Sequence, residues 1–169
     1  VAGAAQQGRS ARVVVKLNSL TDPELIDALT AASQAGASID LIVRGACALR
    51  PGVPGSTDRI RVRSIVGRFL EHTRVMYFRW GDDENAQALY LSSADWMTRN
   101  MSRRVEVAWP VSDPALRQRV IDECLVPYLL DQTDAWELNA HGDYRAAGGQ
   151  GPCAQQALMR RLGHMTSEH

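Results

Sequence analysis

After a small, polar stretch over residues 1–10, which predicts a disordered tail, apolar residues gather at Arg12–Leu17 (RVVVKL), a β-branched run that predicts a strand. The period then changes. Leu25, Ile26, Leu29 and Ala32 recur at helical spacing behind Thr21-Asp22-Pro23-Glu24, which supplies a capping residue, an early proline and an acid at the positive end of the dipole. Gly36 closes this helix, and Ser38–Val43 (SIDLIV) predicts a second strand. Strand, helix and strand at this spacing predict a parallel crossover and an α/β class.

Residues 44–58 contain Gly45, Pro51, Gly52, Pro54 and Gly55, which interrupt any regular element. Beyond them, residues 59–63 (RIRVR) alternate as a strand does, and 64–71 fit a short helix. Residues 72–79 (HTRVMYFR) and 88–92 (ALYLS) predict strands joined by an acidic turn over 81–85, and 103–109 (RRVEVAW) predict another. Asp113-Pro114 opens what should be the longest helix, running to about residue 130, with Pro127 expected to kink it or end it early. A last short helix is expected over 152–162. One domain over residues 11–169 accommodates all of these elements.

Composition narrows the class. With 169 residues, 45% apolar and 22% charged, the chain suits one ordinary domain. No apolar run reaches membrane-spanning length, and the first residues lack the basic start and apolar core of a signal peptide. Cys47, Cys124 and Cys153 are far apart with no C-x-x-C pair, which argues against a zinc ribbon or a disulfide framework and for a reduced, cytoplasmic setting. A start on valine, without an early methionine, suits a piece of a longer protein.

The net charge of zero conceals an asymmetry: residues 1–43 sum to −1, 44–104 to +5 and 105–169 to −4. Eight arginines fall within 44–79 against Asp58 and Glu71 alone. A GC-rich genome accounts for arginine over lysine but not for clustering, and guanidinium forks match phosphate oxygens.

Two constellations could use that charge. His72 stands two residues before Arg74, and Ser93 two before Asp95, so strand geometry would put each pair on one face. A histidine, a cation, a hydroxyl and a carboxylate could then hold a phosphoryl group and exchange a proton near neutrality. The same spacing also fits a histidine bonded within a strand pair, with Arg74 paired to Glu71 or Asp95. Arg44-Gly45 is the second, at the carboxyl end of a predicted parallel strand, where α/β sheets bind ligands. It fits a phosphate clamp or an arginine bridging to a nearby acid. The usual nucleotide loops are absent, as is G-x-S-x-G around Ser64, Ser92 or Ser93. His141, His164 and His169 lie in polar or terminal segments, and the four tryptophans are scattered as packing residues would be.

Four longer runs carry a resemblance: residues 16–22 (KLNSLTD), 39–54 (IDLIVRGACALRPGVP), 64–74 (SIVGRFLEHTR) and 90–107 (YLSSADWMTRNMSRRVEV). In this order, over roughly 12–145, they resemble the C-terminal part of the bacterial polyphosphate kinase that works through phosphohistidine. The resemblance implies the second of two phospholipase-D-like domains, with a mixed central sheet flanked by helices. It places Arg44 on the family's nucleotide-phosphate arginine and His72 on its second active-site histidine. His72-Thr73-Arg74 and Ser92-Ser93-Ala94-Asp95 take the places of H-x-K and G-S-x-N, with Arg for Lys and Asp for Asn.

The resemblance further implies catalytic roles for His72 and Arg74, and binding of ATP phosphates or polyphosphate by Arg44, His72, Ser93 and Asp95. The phosphorylated histidine would belong to a preceding domain, and Mg²⁺ would come with ATP, its ligands outside this chain. ATP or ADP, polyphosphate and the enzyme's other domains are the implied partners, in a homo-oligomer at full length. Two further readings stay open: a phospholipase-D-like phosphodiesterase or nuclease dimer joined at His72, and a non-catalytic module that holds polyanions.

Overall fold

Strands covered on both faces need near-continuous apolar sequence, and the first two predicted strands supply it. In the computed structural model, which describes residues 1–151 and 153–165, they form β1 (Arg12–Leu17) and β2 (Ser38–Val43), parallel neighbours in which only the first residue is exposed. The crossover is α2 (Pro23–Gln34). Asp22 caps it, accepting from the Leu25 N–H, and Gly36 turns the chain out of it at φ 104°, a conformation that strains any L side chain.

One eight-stranded mixed sheet organises the chain, in the order β6-β5-β4-β1-β2-β3-β7-β8. Its other strands are β3 (Ile60–Ile65), β4 (Val75–Arg79), β5 (Gln87–Ser92), β6 (Ala108–Pro110), β7 (Ala135–Leu138) and β8 (Tyr144–Ala146). Strands β1, β2 and β3 run parallel, and every other pairing is antiparallel. Alternation along β1 sends Val13, Val15 and Leu17 into a core with α2, while Val14 enters a second core with Leu125, Tyr128 and Ala154 on the opposite face. Burying side chains such as Leu20, Ile39, Leu41 and Ile60 contributes about 1.5–3 kcal/mol each. No helix of the described residues is long and apolar enough to cross a membrane.

Several expectations need correction. The start of the chain is not a disordered tail: α1 (Ala2–Gln6) buries Ala4 and packs Val1 and Ala5 against the α2-side core. Residues 66–74 form no helix but an irregular segment between β3 and β4, so His72 and Arg74 precede the strand rather than start it. Where a strand was expected over 103–109, α3 (Thr98–Arg103) comes first and β6 is only three residues long.

The long helix is broken in two, α4 (Pro114–Val120) and α5 (Val126–Leu130), by a π turn over Ile121–Leu125 in which the Val126 N–H reaches back to the Ile121 carbonyl. Pro127 explains the break, because its ring clashes with the carbonyl four residues earlier and a wider turn relieves the crowding. The final helix is α6 (Ala154–Met165). Trp96 is buried, whereas Trp109 and Trp136 are about half exposed. His169, and the side chain of His164, lie outside the described residues.

Candidate functional site

Parallel strands deliver their carboxyl ends side by side, so the residue after β1 meets the residue after β2. Those residues are Asn18 and Arg44, and Arg44 Nε donates to Asn18 Oδ1 at 2.9 Å. That bond takes one guanidinium donor and leaves both terminal Nη groups without a hydrogen bond to any described residue. It also orients the amide. The Asn18 NH₂ group then faces His72 Nδ1, a long contact of 3.4 Å. An amide can only donate there, so Nδ1 accepts and a neutral imidazole carries its proton on Nε2. His72 itself is exposed, with Nε2 available to a ligand.

Behind His72 lies Arg74. Its Nη1 donates to the His72 carbonyl at 2.9 Å and its Nη2 to Asp95 Oδ2 at 2.9 Å, while Nε is buried without a partner. Asp95 Oδ1 accepts the backbone N–H groups of Asn18, at 2.8 Å, and Ser19, at 3.2 Å. Burial pushes the Asp95 carboxyl up, but Arg74 and these two amides outweigh it and hold it below the usual range. The loop bearing Asp95 is fixed in turn by the Trp96 N–H on the Ser19 carbonyl and the Thr21 and Asp22 N–H groups on the Trp96 carbonyl.

Of the residues expected to converge, Arg44, His72, Arg74 and Asp95 do, by way of Asn18. Ser93 departs. With β5 ending at Ser92, the period-2 rule no longer holds; the Ser93 hydroxyl donates to Glu106 and accepts from the Val107 N–H at 3.0 Å. Glu106 also accepts from Asn100 at 2.7 Å, and these two bonds, Ser93 first, lower its carboxyl. Among the described residues no three His, Cys, Asp or Glu side chains are grouped to hold a metal ion, and Asp95 and Glu106 are already committed to other partners. Arg44 also lines an open cleft of 280 Å³ with Gly45, Ser64, Val66, Trp136 and Tyr144.

Sequence reasoning missed Asn18 and Glu106. A signal existed for Asn18, since it follows β1 as Arg44 follows β2. None existed for Glu106, because only the fold brings it to Ser93.

Comparison with known proteins fits this arrangement. Residues 2–157 match the family described as "Polyphosphate kinase C-terminal domain 2". The polyphosphate kinase of Burkholderia cenocepacia (strain HI2424) is 56% identical over 141 residues, 83% of this chain and 20% of the relative. That of Pseudomonas aeruginosa is 53% identical over 161 residues, 94% of this chain and 23% of the relative. The chain thus spans about a fifth to a quarter of these curated relatives. A crystal structure of polyphosphate kinase from Porphyromonas gingivalis superposes with a TM-score of 0.89 at 36% identity, covering 99% of this chain and 26% of that one. The phospholipase D family member Nuc from Salmonella typhimurium shares the fold, with a TM-score of 0.52 at 14% identity over 82% of this chain and 88% of that one.

Proposed function

Because the chain belongs to the polyphosphate kinase C-terminal domain 2 family, we propose that it is the phosphate-binding domain of an enzyme that reversibly passes the terminal phosphoryl group of ATP to polyphosphate. The observation that carries this reading is the Asn18 bridge, which holds Arg44 by Nε alone and aims His72 Nε2 outward. Two parallel N–H donors on Arg44 match two oxygens of one phosphate. The neighbouring Nε2–H of His72 gives one more donor for a phosphoryl oxygen or a leaving oxygen. Arg74 adds positive charge from behind, at a site where positioning and charge stabilisation do most of the work of phosphoryl transfer.

The phosphorylated histidine belongs, on this reading, to a preceding domain. Magnesium travels with the nucleotide and finds its protein ligands outside these residues. The setting is the cytoplasm, in keeping with three free cysteines. Calorimetry tests the proposal: the chain should bind ATP and polyphosphate, and Arg44→Ala should weaken both. Equal binding of DNA and heparin, with a steep salt dependence, would instead mark a general polyanion surface.

A further inference from the structure

The residue before His72 is Glu71, and its side chain turns inward. Glu71 Oε2 accepts from Lys16 Nζ at 2.6 Å, and Oε1 accepts from the Tyr128 hydroxyl at 2.5 Å and from Gln155 Nε2 at 3.0 Å. Three elements thus converge on one carboxylate: β1 through Lys16, α5 through Tyr128 and α6 through Gln155.

Lys16 is the only lysine of the chain and is 6% exposed, with its ammonium 3.1 Å from the centre of the Tyr128 ring. A buried ammonium is costly unless paired, and here it has a carboxylate on one side and an aromatic face on the other. Gln155 also treats the neighbouring backbone as a strand would, accepting from the Phe69 N–H at 2.8 Å and donating to the Phe69 carbonyl at 2.9 Å. Gly67 allows this approach, because a Cβ there would lie 2.5 Å from Gln155 Oε1.

The bonds of this cluster go to neither Arg44 nor the His72 ring, although Lys16, Glu71 and Tyr128 line a small cavity with Asn18 and Arg44. Phe69, Leu70 and Val66 are exposed, so no apolar packing of their side chains holds the segment down. Polar bonds do so instead, and they fall on the residues leading into His72.

We propose that Glu71, clamped by Lys16, Tyr128 and Gln155, is a positioning residue that sets where the His72 imidazole stands relative to Arg44. The inference rests on the role given to His72 above. Tyr128 supplies the mildest probe, because Tyr128→Phe keeps the ring over Lys16 and removes only the hydroxyl bonded to Glu71. Gln155→Ala probes the same clamp from α6.

In the polyphosphate kinase chain that carries this domain, each change should lower kcat by about 10- to 100-fold, the scale of a misplaced catalytic group, with KM for ATP within about twofold. Gln155→Glu, which keeps an acceptor for the Phe69 N–H but sets a second carboxylate against Glu71, should not restore the rate. In a His72→Ala background Tyr128→Phe should cost nothing further, whereas a role in folding alone would cost the same factor in both backgrounds. Imidazole NMR of this chain separates the inference from the role it rests on. Tyr128→Phe should broaden or shift the His72 ring signals and leave those of His141 unchanged. Unchanged His72 signals in a folded variant, or equal losses with and without His72, would overturn the proposal. Full activity of His72→Ala alone would remove the role assigned to His72, and the NMR comparison would still decide whether Glu71 positions it.

Discussion

Arg74 and Asp95 meet at 2.9 Å with 18% and 12% of their side chains exposed, and through them the carbonyl of His72 is tied to the chain leaving β1. The pair locks together the loops at the paired ends of β1, β4 and β5. Removing one partner leaves a buried charge, which costs more than the pair contributes in place.

Asp95→Asn keeps the shape and removes the charge. It should destabilise the domain by about 1.5–3 kcal/mol at neutral pH, the scale of a hydrogen bond to a charged group. The Asp95 carboxyl is held below its ordinary 3.8, so its contribution is complete above that value and is lost as pH falls through the lower folded value. Urea unfolding of the two proteins should therefore show a gap at pH 7 that narrows below about pH 4. A gap of constant size across that range would contradict the assignment.

Asn18→Asp separates the two halves of the bridge. An aspartate still accepts from Arg44 Nε but has no hydrogen to give His72 Nδ1. Phosphate binding by calorimetry should survive, while turnover in the parent enzyme should fall by about 10-fold or more, as expected for a misoriented catalytic group. Loss of binding with turnover retained would mean that the bridge serves Arg44 alone.

Arg44→Ala should weaken triphosphate or polyphosphate binding by about 1.5–3 kcal/mol, one charge-assisted contact. Arg44→Lys should recover only part of this, because a point charge cannot reproduce two parallel donors. Unchanged affinity in Arg44→Ala would place the anion elsewhere, and full affinity in Arg44→Lys would show that a point charge suffices.

His72→Ala should lower polyphosphate synthesis by about 10²- to 10⁴-fold, the range of a positioned acid or base. His72→Gln keeps an amide donor and should retain more activity than Ala if charge stabilisation dominates, but no more than Ala if a proton must move. Both variants should remain folded, since the ring is exposed. Labelling with γ-labelled ATP offers a companion check, for His72 is read as a donor and not as the covalent acceptor. Acid-labile, alkali-stable phosphate on His72 would refute that.

What the sequence made legible follows the range of the forces involved. The β1-α2-β2 crossover rests on neighbours within a few residues: the cap at Asp22, the turn at Gly36 and two apolar runs. Arg44 was placed correctly because it inherits its position from β2. The segment over 66–74 was misjudged because its conformation is imposed by Gln155, 86 residues from Phe69 in sequence. Strands β7 and β8 were not anticipated at all. Their exposed residues, among them Trp136, Glu137 and Tyr144, carry no alternation of their own, and only the pairing of β7 with β3 and of β8 with β7 makes them strands. In the site, the position of Asn18 after β1 was a signal, but an asparagine there reads as a turn residue until its two partners, Arg44 and His72, are seen.

The sheet ends on each side in a strand of three residues, β6 and β8, and β6 closes on Pro110, which has no N–H to offer. Borders this short give a further strand almost nothing to zip onto. The sheet is therefore finished at eight, and contacts beyond it fall to loops and helix faces. Contacts of that kind can loosen and re-form without unravelling any backbone ladder, and the loops that carry Arg44 and His72 belong to this unladdered surface.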